Sequence, residues 1–190
     1  MSTALDAAFA TARAEHRAAL IGYYPAGFPT VEASKRIIRA MVSGGVDIVE
    51  VGLPYSDPLM DGPIIQRAVE QALANGVRIT DVLDVVRTVA ETGAPTLVMS
   101  YWNPIERFGV AKFADELAAA GGVGVINPDL TPEEAAEWAS ATDAADIARR
   151  SAPLVQRKMS RLTEYDRLAG WLYHPLQFED EAWAFLAQDI

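Results

Sequence analysis

Residues 49–63 read VEVGLPYSDPLMDGP, a stretch with three acids: Glu50 near the end of an apolar strand, and Asp57 and Asp61 on the loop that follows. Glu50 interrupts an otherwise apolar run, and Asp61 follows on a loop punctuated by proline and glycine. Burying a carboxylate costs several kcal/mol unless the group is paired or kept neutral. A carboxylate in this position, with a second acid on the adjoining loop, predicts acid–base chemistry at the C-terminal end of a barrel strand.

Outside this stretch, short apolar runs alternate with segments of helical periodicity. We predict helices over residues 4–18, 30–43, 63–74, 80–91 and 110–120, and a further one after a capping box at 131–134. The apolar runs predict strands at residues 19–24, 46–51, 96–100 and 123–127. Near-continuous apolar strands alternating with helices indicate an α/β fold with a parallel sheet covered by helices.

The pattern changes after about residue 143. No strand pattern appears beyond residue 127, and three helices are predicted at 144–159, 163–172 and 180–188. Four strands cannot close a (β/α)₈ barrel, which typically takes about 250 residues. We therefore predict a partial (β/α)₈ barrel of TIM type at residues 1–143 and a C-terminal helical segment at residues 144–190.

Composition excludes several classes of function. The net charge of −10 argues against nucleic acid as the main partner, because phosphate neutralisation requires basic residues. The chain has no cysteine and two histidines, which argues against a zinc site and fits a cytoplasmic protein. No run approaches the roughly 20 apolar residues needed to span a bilayer, so no membrane segment is expected.

Four segments resemble the α subunit of tryptophan synthase: GYYPAGFPT (22–30), DIVEVGLPYSDPLMDGPIIQRA (47–68), LVMSYWNPIERFG (97–109) and GVGVINPDLTPEE (122–134). The resemblance covers residues 5–143. It implies a (β/α)₈ barrel that cleaves indole-3-glycerol phosphate into indole and glyceraldehyde 3-phosphate, in tryptophan biosynthesis. It also implies a partner β subunit, which receives the indole and carries pyridoxal phosphate, so that the chain itself needs no cofactor.

The same resemblance implies roles for individual residues. Glu50 corresponds to the general acid/base and Asp61 to the second catalytic carboxylate. The implied substrate-binding residues are Tyr23, Tyr101, Ile126 and Asp129. Pro54 and Asp57 correspond to the loop that contacts the β subunit.

Structural roles remain as alternatives for these residues. Glu50 could be a buried carboxylate bonded to backbone amides. Asp61 could be an acid favoured by the dipole of the helix that starts at Pro63. Asp57 lies in Ser-Asp-Pro, a turn-forming sequence, and aromatic residues at strand ends, such as Tyr23 and Tyr101, are usually core.

The family's last four strands and its phosphate-binding loops have no counterpart in this sequence pattern. Residues 147–185 instead resemble the anticodon-binding region of bacterial glutamyl-tRNA synthetase, which would make the chain a truncated barrel in a chimera, a rearranged gene or a computed sequence. The expected function is a carbon–carbon lyase of the tryptophan pathway. The alternative is a catalytically silent scaffold or interaction fragment. Either the tail or self-pairing of two half-barrels is expected to cover the open sheet.

Overall fold

The computed structural model describes residues 4–131 and 134–145. Four parallel strands follow one another in the chain and in the sheet: β1 (Ile21–Pro25), β2 (Ile48–Gly52), β3 (Thr96–Met99) and β4 (Gly124–Ile126). The helices are α1 (Ala4–Ala14), α2 (Val31–Ser43), α3 (Pro63–Ala74), α4 (Ile79–Ala90), α5 (Trp102–Phe108), α6 (Val110–Ala119) and α7 (Ala136–Ala144). The predicted α/β fold, a partial barrel of four parallel strands with flanking helices, is confirmed.

The outer face of the sheet forms the larger core. Val49, Val51 and Val98 point toward the helices and are completely buried. They pack in one cluster with apolar residues of α2, α4 and α6, whose buried positions recur at helical spacing. Because each of these strands buries its outer residues fully, the sheet is anchored by its helical layer.

The inner face of the sheet carries the side chains that alternate along the strands with those of the outer face. Register pairs Tyr23 with Glu50, Glu50 with Leu97 and Leu97 with Gly124, so these residues form one level across the sheet. The next level, toward the C-terminal ends of the strands, contains Pro25, Gly52, Met99 and Ile126.

Helix α1 covers this inner face at the N-terminal ends of the strands, its lower end. Leu5 and Ala12 of α1 form a second buried cluster with Ile48 and Leu97 of the strands. The inner face is thus covered at the N-terminal ends of the strands, while its upper level faces the loops.

Several helix boundaries agree with the sequence patterns. Thr30 caps α2 by accepting a hydrogen bond from the Ala33 amide at 3.2 Å, and Pro63 is the first residue of α3. The helix predicted from residue 80 starts one residue earlier than expected. The helix begins at Ile79, and the Asp81 carboxylate accepts a hydrogen bond from the Arg78 amide at 2.8 Å.

Two other expectations differ from the structure. The helix predicted over residues 4–18 ends at Ala14, because His16 takes a positive φ of 54° and the Arg17 amide bonds back to the Ala12 carbonyl. The sequence pattern also missed α5. The helices predicted between residues 144 and 188 lie outside the described residues, except that Ala144 ends α7.

Candidate active site

Glu50 lies at the middle of β2 on the inner face. Its neighbours Val49 and Val51 point outward into the helical core, so alternation along the strand turns Glu50 inward. Glu50 is only partly exposed, whereas Val49 and Val51 are fully buried. The strand therefore aims its single carboxylate into the space that a barrel encloses.

Tyr23 connects the two predicted catalytic acids. It is the register partner of Glu50 on β1, and its ring leans over Gly52, the next inward residue of β2. Burial raises the pKa of the Tyr23 phenol, and the negative charges of Asp61 and Glu50 raise it further. The charges of both carboxylates thus raise the pKa of the same phenol. Glu50, Asp61 and Tyr23 therefore surround one space.

The loop between β2 and α3 is fixed by hydrogen bonds on both sides of Asp61. The Gln66 side-chain amide donates to the Asp61 carbonyl at 2.8 Å and to the Pro58 carbonyl at 3.2 Å. The Met60 amide donates to the Tyr101 hydroxyl at 2.8 Å. Burial raises the pKa of the Asp61 carboxyl. The loop is therefore tied to α3 and to the end of β3, and it carries Asp61 in a partly desolvated position.

Tyr101 and Ile126 line the same edge of the sheet. Tyr101 is buried, and its ring lies 5.3 Å from that of Tyr55. Burial also raises the pKa of Tyr101, with smaller contributions from the charges of Asp61 and Asp129. Ile126 is partly exposed on the upper inner level, beside Met99. Sequence reasoning missed Met99, although its alternation with outward Val98 marks it as an inward residue.

Asp129 has a structural role that the sequence did not indicate. Its two carboxylate oxygens accept hydrogen bonds from the Trp102 amide at 2.9 and 3.1 Å. Trp102 is the first residue of α5, so Asp129 satisfies an amide that has no partner within the helix. Asp129 is exposed and follows β4, whereas Trp102 follows β3. The hydrogen bonds between them therefore connect the C-terminal ends of β3 and β4.

The two residues predicted to contact a partner differ in accessibility. Pro54 is buried, whereas Asp57 is exposed and accepts a hydrogen bond from the Ser56 hydroxyl at 2.6 Å. The exposed apolar residues of this region are Leu59, at 88% exposure, and Ile64, at 66%. The most exposed residues of the loop are thus Ser56, Asp57 and Leu59, followed by the first turn of α3.

Residues 4–131 and 134–145 contain neither a candidate metal site nor a candidate membrane-spanning helix. No group of three or more His, Asp or Glu side chains in these ranges could hold a metal ion. Nor is any helix in these ranges long and apolar enough to cross a membrane.

We expect Gly52→Ala to displace Tyr23 from the site. A Cβ atom at residue 52 would overlap the Tyr23 hydroxyl oxygen and would lie 2.6 Å from the adjacent ring carbon, so the ring must move away. Overpacking of this kind costs about 1–3 kcal/mol, measurable by urea unfolding. Gly62→Ala is the matched control, because nothing lies within 4 Å of a Cβ there. Equal stability and an unchanged near-ultraviolet circular dichroism spectrum for Gly52→Ala would contradict this packing.

Comparison with known proteins identifies relatives over most of the chain. The family model described as "Tryptophan synthase alpha chain" matches residues 9–169. The tryptophan synthase alpha chain of Thermobifida fusca is 63% identical over 147 residues, which are 77% of this chain and 54% of that protein. The alpha chain of Nocardia farcinica is 55% identical over 168 residues, covering 87% of this chain and 62% of that protein.

A solved structure shows the same fold. The crystal structure of tryptophan synthase from M. tuberculosis in its aminoacrylate- and BRD0059-bound form matches with a TM-score of 0.74 at 51% identity. The match covers 76% of this chain and 58% of that chain. The chain thus spans a little over half the length of the relatives it matches.

The expected resemblance to glutamyl-tRNA synthetase finds no support. The family model extends to residue 169, well into the segment of residues 147–185 that suggested a chimera. The alignment to the Nocardia farcinica protein likewise spans 168 residues. The sequence motifs, the parallel half-barrel and these matches agree over residues 9–145. The chain therefore belongs to the tryptophan synthase alpha chain family.

Proposed function

We propose that this chain provides the acid–base half of a tryptophan synthase alpha-type lyase, which cleaves indole-3-glycerol phosphate into indole and glyceraldehyde 3-phosphate. The observation that carries this proposal is the position of Glu50 beside its register partner Tyr23 on the inner face of the sheet, where the negative charge of Asp61 on the adjoining loop also raises the pKa of the Tyr23 phenol. Cleavage of a carbon–carbon bond next to an indole ring requires a proton donor at ring carbon C3 and a group that stabilises positive charge at N1. Two carboxylates around one space suit these two tasks.

Glu50 is the proposed proton donor and acceptor. In its acid form it gives its proton to C3 of the indole ring, which makes the ring a cation. It then accepts the proton of the glycerol hydroxyl adjacent to the scissile bond. The C–C bond breaks as that hydroxyl becomes an aldehyde, and the bonding electrons return to the ring. Glu50 ends in its acid form, so the step is balanced in protons and electrons.

Asp61 is the proposed partner of the indole N1–H group. Positive charge develops at N1 when C3 is protonated, and a carboxylate there stabilises it or accepts the proton. The pKa of Asp61 is raised by burial, which increases its affinity for a proton. Tyr23, Tyr101, Met99 and Ile126 supply the apolar and aromatic walls against which an indole ring would pack.

The phosphate group of the substrate must be bound elsewhere. The segments that follow the four described strands, residues 26–30, 53–62, 100–101 and 127–131, contain no Lys or Arg. In barrels of this type the phosphate site follows strands seven and eight. Binding energy from a remote phosphate contributes to the rate as well as to affinity, so we expect slow turnover by this chain alone.

Indole release from indole-3-glycerol phosphate by the purified chain tests the proposal. Asp61→Asn removes the carboxylate charge next to N1 and should lower the rate. Asp57→Asn is the control, because Asp57 is a neighbouring acid that is exposed and bonded to Ser56. Release above the Asp61→Asn background supports the lyase. Equal release by the wild-type and Asp61→Asn chains would show that Asp61 takes no part, and no release by either chain would leave the silent interaction fragment as the better account.

A second candidate function is contact with a partner β subunit, without turnover. The exposure of Leu59 and Ile64 beside Asp57 favours it, because large apolar residues grouped at an exposed loop mark interaction surfaces. Pyridoxal phosphate would belong to that partner. A cytoplasmic location fits both candidate functions.

We expect Leu59→Ser to weaken binding to a tryptophan synthase β subunit. Burying a leucine side chain contributes about 1.5–3 kcal/mol, so its loss should raise the Kd by at least about tenfold. Leu20→Ser is the matched control, because Leu20 is 42% exposed and precedes β1 at the opposite end of the sheet. Titration calorimetry gives both constants. An equal change for the two variants would exclude the loop as the contact.

A further inference from the structure

The turn that carries Asp61 has little apolar anchoring of its own. In residues 58–61 the Asp61 amide donates to the Pro58 carbonyl at 3.2 Å, which closes the turn. The two residues between them, Leu59 and Met60, are exposed and partly exposed. Because neither central side chain is buried, the position of this turn depends on hydrogen bonds to neighbouring elements.

Gln66 of α3 fastens both ends of the turn. Its side-chain Nε2 donates to the Pro58 carbonyl at 3.2 Å and to the Asp61 carbonyl at 2.8 Å. An amide nitrogen carries two hydrogens that point in different directions, so one glutamine can donate to two carbonyls. The Pro58 carbonyl accepts from both the Asp61 amide and Gln66, which joins the hydrogen bond of the turn to the helix.

The position of Gln66 in α3 explains how its side chain reaches the turn. The helix starts at Pro63, so Gln66 is its fourth residue, and the Gln66 backbone amide donates to the Gly62 carbonyl at 3.0 Å. Side chains on a helix tilt toward its N-terminus, so a side chain in this place leans over the preceding loop. Gln66 is partly buried there, whereas Gln71, further along α3, is exposed.

These contacts fix the peptide groups on both sides of the Asp61 α-carbon. The Asp61 amide is bonded to Pro58, and the Asp61 carbonyl is bonded to Gln66. A residue has two soft backbone dihedral angles, so fixing both flanking peptide planes sets the direction of its side chain. The Met60 amide, which donates to the Tyr101 hydroxyl at 2.8 Å, ties the same turn to the segment after β3.

We propose that Gln66 is a positioning residue, which holds the Asp61 carboxylate toward Tyr23 and the indole N1 group. This role rests on the proposed function, in which Asp61 stabilises the charge that develops at N1. A charge that is in place before the reaction needs no reorganisation when the transition state forms. A misplacement of about 1 Å can lower a rate by about 100-fold, so the backbone contacts of Gln66 bear on the chemistry through Asp61.

The competing role for Gln66 is stabilisation of the first turn of α3, with no effect on Asp61. That role predicts a lower melting temperature for a variant and an unaltered carboxyl group. The positioning role predicts a change in the surroundings of the carboxyl itself. Burial raises the pKa of Asp61, so a loosened turn that admits water should bring this pKa down toward its ordinary value.

Gln66→Met distinguishes the two roles, because methionine has a similar length and no N–H donor. The Asp61 carboxyl can be titrated by ¹³C NMR, with its signal identified by its loss in Asp61→Asn. Gln66→Met should lower the pKa of this carboxyl. Gln71→Met makes the same substitution at an exposed position of α3 and should leave the pKa unchanged.

A parental pKa of Asp61 in the folded Gln66→Met chain would overturn the proposal, whatever the loss of stability. If that chain does not fold, Gln66→Asn replaces it in the same titration. Asparagine keeps a polar amide but is one methylene too short to reach both carbonyls, so it should lower the pKa as well. Retention of the parental pKa by Gln66→Asn would then overturn the proposal.

The kinetics of indole release provide a second measurement. Gln66→Met should lower kcat by about tenfold and change KM by less than about twofold, because the charge at N1 develops only in the transition state. Gln71→Met should match the parent chain. A raised KM with an unchanged kcat would contradict positioning. No release by any chain would refute the lyase alone, because the ¹³C titration locates the Asp61 carboxyl without turnover.

Discussion

Glu50→Gln should lower indole release by about 10²–10⁴-fold, the contribution expected of a general acid–base catalyst. The amide has the shape of the carboxyl group but cannot transfer a proton to C3. The melting temperature should stay close to that of the parent chain, because the side chain is partly exposed and nearly isosteric. Retention of indole binding, measured by equilibrium dialysis, would show that the pocket survives.

The control for this change is Glu70→Gln on the exposed surface of α3. It introduces the same substitution away from the inner face and should leave release unchanged. Equal turnover by the Glu50→Gln and parent chains would mean that the activity arises elsewhere, and it would remove the basis for the proposed mechanism.

Phe113→Ala should destabilise the chain by about 3–5 kcal/mol. Phe113 is completely buried in the outer core, and its ring lies 6.2 Å from Phe108 in an edge-on arrangement and 6.2 Å from Trp138. Truncation leaves a cavity between α6 and its neighbours and removes both aromatic contacts. Since a typical domain has only about 5–15 kcal/mol of stability, the loss is a large part of the total.

Chemical denaturation measures this effect. Leu59→Ala is the control, because Leu59 is 88% exposed and its truncation should change stability by no more than about 0.5 kcal/mol. A cost below 1 kcal/mol for Phe113→Ala would show that α6 does not pack on the sheet as described.

The sheet and its central motif could be predicted because their signals are local. Apolar runs with helical segments between them identify parallel strands, and alternation along β2 indicates which face Glu50 occupies. Pro63 and Thr30 mark helix starts for reasons that need no tertiary contact. The four strands and the helices α2, α3 and α6 therefore follow from short stretches of sequence.

Features that depend on distant contacts could not be predicted. Asp129 caps the amide of Trp102, 27 residues earlier, and Trp102 is the first residue of α5. The close approach of Tyr23 to Gly52 depends on strand register. The electrostatic connection between Asp61 and Tyr23 likewise arises only when the loop folds over the sheet.

The claim that Glu50 and Asp61 share one space can be tested directly at Tyr23. A fluorinated tyrosine at position 23, whose phenol ionises in a milder pH range, can be titrated by ¹⁹F NMR without any requirement for turnover. A nearby carboxylate disfavours the phenolate, so both Glu50→Gln and Asp61→Asn should lower the pKa of this phenol. Asp57→Asn should leave it unchanged. If neither Glu50→Gln nor Asp61→Asn lowers the pKa, the two carboxylates do not converge on Tyr23, and the proposed site is contradicted.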